Sequence, residues 1–132
     1  MKIIYTFLIS LPLLTALDFL FIGYIAKDYY ARMMSPVVNV EFNLLFAFLF
    51  YFFYLIGLFV FVIYPNVVVN PNLQNTIIFG AFFGFICYMT YDFVNLATIK
   101  SWPVQLAFVD ILWGTVVTAT LSGLIFKIYN SF

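Results

Sequence analysis

The chain has 132 residues, 67% of them hydrophobic and 8% charged, with a formal net charge of zero. Ordinary soluble domains are about 45–50% apolar and about 25% charged, so a soluble monomer is excluded. A disordered chain and a nucleic-acid binder are excluded as well, since five Lys and Arg leave no positive surplus for phosphates. The class is an integral membrane protein of one domain, residues 1–132.

A membrane helix needs about 20 mostly apolar residues, and four stretches qualify. The first runs from Ile3 to Ala26 and has Pro12 inside it, a candidate kink. Lys2 and the apolar run to Leu17 resemble a signal peptide. No small-x-small cleavage site precedes Asp18, and the apolar pattern resumes at Phe19, so an uncleaved first helix is expected. The linker Lys27 to Glu41 holds Pro36 as a helix stop. The second helix runs from Phe42 to Tyr64, through the aromatic block Phe46 to Tyr54. Pro65 is expected to stop it, and Asn66 to Asn75 reads as a polar turn. The third helix spans Leu73 to Ile99, and the fourth spans Pro103 to Lys127, with Pro103 in its first turn. The expected fold is all-α, a four-helix antiparallel bundle with both termini on one side. Lys27, Arg32 and Lys100 on the other side lean toward a cytoplasmic location for that side.

The single Cys87 forms no internal disulfide, and there is no histidine. Zinc, haem and iron–sulfur sites of the usual kinds have no ligand set, so no cofactor or metal is expected. Ser-His-Asp and Cys-His catalysis are excluded within the chain. No Gly-rich phosphate loop occurs.

Three of the five acids lie inside predicted spans: Asp18, Asp92 and Asp110. An Asp at mid-helix is unfavourable by roughly 2.5–3.5 kcal/mol, so three facing lipid would cost on the order of 7–10 kcal/mol. They are expected to face the bundle interior. Asp18 lies eight residues before Ala26, Asp92 seven before Ile99, and Asp110 seven after Pro103. At about 1.5 Å per residue, each carboxylate is roughly 10–12 Å from the same end of the bundle.

Helical faces agree with that depth. At about 100° per residue, Gly80, Gly84, Cys87, Tyr88, Tyr91, Asp92, Asn95 and Thr98 share an arc of roughly 140°. Ala107, Asp110, Gly114 and Thr118 form a stripe on the fourth helix, and Leu11, Thr15, Asp18 and Ile22 on the first. Gly80-x-x-x-Gly84, together with Gly114, reads as helix packing, since small residues let helices approach closely. Asn95 and Thr98 fit either structural hydrogen bonds or a ligand contact. Intramembrane acids can also simply join helices, although an Asn would do so without an ionisation penalty. The aromatic block reads as lipid-facing or packing surface, and Trp102 and Tyr29–Tyr30 as interfacial anchors.

No Lys or Arg lies inside a span. Three acids can coexist there by protonation, by a bound cation on Asp and Asn oxygens, or by a loop cation reaching inward. Arg32 is the most capable loop cation, since its fork matches a carboxylate.

The run Tyr91 to Thr98, then Trp102-Pro103, then Asp110 to Gly114, resembles a bacterial family of predicted membrane proteins, domain of unknown function 2177. Asp18 to Gly23 resembles that family's first-helix motif, with Phe21 standing where the family's Trp is expected. Phe53-Tyr54, Gly57 and Pro65 resemble its second helix, so the likeness covers nearly the whole chain. The resemblance implies a four-helix protein of a bacterial inner (cytoplasmic) membrane and brings no catalytic assignment.

Three functional readings follow. The first is a carboxylate-lined pocket that binds or passes a small polar or cationic ligand, coupled to protons. Asp18, Asp92 and Asp110 would carry charge, Asn95, Tyr88 and Tyr91 would orient the ligand, and Arg32 would close the pocket. The second is a membrane-embedded enzyme moving a proton on a lipid or isoprenoid, with two carboxylates as acid and base. The third is an accessory subunit of a homo-oligomer or larger membrane complex. Its partners would be the lipid bilayer and other membrane chains, not nucleic acid.

Overall fold

The structure is a computed structural model that describes residues 1–35 and 43–132. The expected stop at Pro36, linker end at Glu41 and helix start at Phe42 lie outside the described residues. Among the described residues five helices follow one another: α1 (Lys2–Ile25), α2 (Lys27–Met34), α3 (Leu44–Val69), α4 (Leu73–Thr98) and α5 (Val104–Ser131). All but α2 are long and apolar enough to cross a membrane. At about 1.5 Å per residue, their 24 to 28 residues exceed a hydrocarbon core of about 30 Å. They form an all-helical membrane bundle.

Local chemistry sets the ends. Asn43 Oδ1 accepts from the backbone N–H of Leu45 at 3.1 Å and of Phe46 at 3.3 Å, which caps α3. Asn72 Oδ1 does the same for α4 through Asn75 N at 2.9 Å. The helix α2 falls in a stretch expected to be linker. It carries Asp28 in its first turn and Arg32 in its last, the arrangement the helix dipole favours.

Pro65 does not stop the second span. From Phe59 to Val69 the backbone winds as a wide π-helix, closed by Asn70 N donating to Pro65 O at 3.1 Å. A proline in a tight α-turn would collide with the carbonyl four residues back, that of Phe61. The wider turn relieves that collision and carries the chain five residues beyond the expected end at Tyr64. A second π stretch, Phe21–Ile25, ends α1. The fourth span starts after Pro103 and continues past Lys127 to Ser131.

The two last spans lie closest together. A methyl added at Gly80 would overlap Ser122, one at Gly84 would meet Gly114 O and Thr118, and one at Gly114 would fall on the Tyr88 ring. Small residues on both faces permit this approach. Beside α4 and α5, the second half of α3 supplies the buried core. Leu55, Leu58, Phe59, Val62, Ile63 and Val67 pack against Val117, Leu121 and Ile125 of α5 and Leu14 of α1. The first half of α3 packs on α1, where Phe7 meets Phe52 and Phe59 edge-on at 5.8 and 5.1 Å. Its outer positions Leu44, Leu45, Phe46, Phe48 and Phe53 are exposed. The bundle is therefore tight at the end that holds the termini and open at the other.

Gly114→Ala should destabilise the protein by about 1–3 kcal/mol, because its methyl lands on a ring held between helices. Gly123→Ala, whose methyl meets Ile77 in ordinary contact, should be neutral or stabilising by up to about 1 kcal/mol. Thermal unfolding of both variants in detergent checks the contrast.

Candidate functional site

Asp18 sits just before the π stretch that ends α1 and is 6% exposed. Two donors converge on it from other helices. Tyr51 Oη of α3 donates to Oδ2, and Trp113 Nε1 of α5 donates to Oδ1 at 2.9 Å. The Trp113 indole lies flat on Phe21 at 4.0 Å, which fixes its ring.

Asp110, half-buried on α5, accepts from Tyr30 Oη of α2 at 3.0 Å. Asp92, on α4, is 0% exposed and borders the same cavity as Asp110. Neither Asp92 oxygen has a donor among the described residues. Trp102 Nε1 stands near Asp92 but closes no hydrogen bond to it. A buried carboxylate without donors is an unfavourable arrangement that native proteins rarely leave in place.

These groups border one cavity of about 440 Å³. Asp18, Asp92 and Asp110 line it together, with Tyr88 and Tyr91 of α4. Tyr30, Tyr51, Tyr54, Phe50 and Trp102 complete an aromatic wall. Tyr54 Oη is paired with Thr118 Oγ1 at 2.6 Å, and its ring meets Tyr88 edge-on at 6.1 Å. Asn95 lies half-buried one turn beyond Asp92 and does not line the cavity. Arg32 is exposed on α2 and does not line it either, and no other basic side chain does among the described residues.

Several wall residues differ from the expectation. Trp102 and Tyr30, read as interfacial anchors, turn inward. Trp102 is 8% exposed and Tyr30 holds Asp110. Tyr30 Oη meets a carboxylate instead of the headgroups, and Trp102 Nε1 is buried without a partner among the described residues. Tyr51 and Tyr54 belong to the aromatic block whose pattern predicts lipid-facing or packing surface, yet both border the cavity. They are the hydroxyl-bearing members of an otherwise apolar block, three residues apart and so on one helix face. That spacing is the signal for their role. Trp113, three residues after Asp110, carried the same kind of signal.

The model of a family described as predicted membrane protein, domain of unknown function 2177, matches residues 3–126. The chain belongs to that family. No curated protein and no solved structure matches it. With four apolar spans, this family member is an integral membrane protein. Of the run that carried the resemblance, Tyr91, Asp92, Trp102 and Asp110 line the cavity, and Asn95 stands just outside.

Tyr51→Phe should destabilise the protein by about 1–3 kcal/mol, since it strips a buried carboxylate of a donor. The same change in an Asp18→Leu background should cost at least about 0.5 kcal/mol less. Unfolding in mixed micelles measures this cycle. Tyr30 gives a pH signature. Burial first, then the Asp110 carboxylate, hold its phenol pKa well above the usual value. An acid whose folded pKa is raised contributes stability below its unfolded pKa and loses it as pH climbs past that point. Tyr30→Phe should therefore flatten the fall in melting temperature above about pH 10.

Proposed function

We propose that the protein binds, and passes across its open end, a small polar or cationic ligand held by the carboxylate cavity. One observation carries this reading. Asp92 is fully buried with both carboxyl oxygens lacking a donor, in a cavity bordered by two further acids and by no basic side chain among the described residues. Acidic charge gathered inside a bilayer and left without counter-charge calls for a cation from outside the chain.

The three acids divide the work. Asp18 is held by Tyr51 and Trp113 and sets the negative field of the cavity. Asp92 is the docking group, and Asp110 is its neighbour. Two adjacent carboxyls can share a proton and release it when a cation arrives, which would couple ligand passage to protons. Tyr88 and Tyr91 border the ligand's path. We place the protein in a bacterial inner membrane, where helical spans are the usual architecture.

Melting of the purified protein in detergent tests the reading. A panel of sodium, potassium, ammonium and simple amine chlorides at two pH values should include at least one cation that raises the melting temperature by about 2 °C or more. Asp92→Asn or Asp110→Asn should abolish that rise. A flat response in the parent, unchanged in both variants, refutes it.

A further inference from the structure

We infer that the cavity's ligand is an organic ammonium ion that carries N–H groups on an apolar body. This rests on the cation reading above and narrows its chemistry.

The size of the space is the first argument. About 440 Å³ falls in the range of about 300–1,000 Å³ that holds small organic molecules, and is far larger than a bare monatomic ion. The second is the ligand set. Hard cations need several oxygens closing on one point. Among the described residues, no group of three Asp, Glu or Cys side chains is close enough to hold a metal ion. Asp18 is turned to Tyr51 and Trp113 instead of toward a shared centre.

The wall is the third argument. Tyr30, Tyr51, Tyr88, Tyr91 and Trp102 surround the carboxylates with ring surface. Aromatic faces attract an organic cation within about 6 Å and cover an apolar body at the same time. The fourth is the state of Asp92. Its two oxygens lack donors among the described residues, and a ligand with N–H bonds on a positive charge supplies donors and counter-charge together. A quaternary ammonium carries the same charge and fits the same rings but leaves both oxygens unsatisfied. Asp92 therefore selects primary and secondary ammonium ions over quaternary ones.

Titration calorimetry of the full chain in detergent at neutral pH tests this with four chlorides: benzylammonium, benzyltrimethylammonium, ammonium and sodium. Benzylammonium should bind about tenfold or more tightly than each of the others. Asp92→Asn should bring benzylammonium down to the level of its quaternary analogue. Equal binding of the two benzyl ions overturns the role given to N–H donors. Tighter binding of ammonium or sodium overturns the organic body while leaving the cation reading intact. Silence from all four overturns the cation reading and this inference with it. The comparison among probes on the parent protein decides the matter even if Asp92→Asn does not fold.

Discussion

The carboxylate of Asp18 draws a phenol from α3 and an indole from α5 to one depth in the bilayer. Lipid offers an acid no donor. Donors must then come from neighbouring helices, and this fixes where those helices stand. The first half of α3 is held to α1 through Tyr51 and through the Phe7 contacts. It meets α4 through the Tyr54 ring, which stands edge-on to Phe83 and Tyr88. The gap that remains is the cavity.

The opposite end is set by a different constraint. Gly80, Gly84 and Gly114 bring α4 and α5 so close that methyl groups would not fit between them. The second half of α3 fills the groove beside that pair with Leu58, Val62 and Ile63. Its wide winding around Pro65 lets one helix serve both tasks. The tight end buries hydroxyls such as Ser10, Thr76 and Ser122 but carries no acid, and the open end carries all three. A protein that merely joined helices through polar contacts would have little need for this separation.

Length and apolar content made the four spans legible, because a bilayer demands about 20 apolar residues whatever the packing. The depths of Asp18, Asp92 and Asp110 could also be counted from span ends. Details that depend on tertiary partners could not. Pro65 looks like a stop until the wide turn is seen. The short α2 lacks an apolar stripe long enough to announce a helix, and its signal is the placement of Asp28 and Arg32. Trp102 and Tyr30 have the composition of interfacial anchors, and only the positions of Asp92 and Asp110 show why they turn inward. Tyr51 is one aromatic residue among many until its hydroxyl meets an acid from another helix.

The three acids are satisfied to different degrees. Asp18 has two donors, Asp110 has one, and Asp92 has none among the described residues. Each unsatisfied carboxylate opposes folding, so a purely structural joint would gain from donors on all three. The gradient runs instead toward the least exposed acid, at the aromatic wall. Tyr30 is tied to this gradient, because the Asp110 that it holds lies beside Asp92. Its helix, α2, packs on the end of α1 and reaches the bundle through that phenol. On the proposed reading, a cation that drew Asp110 toward itself would compete with Tyr30 for the same oxygens, which would link occupancy of the cavity to the seating of α2 through one carboxylate.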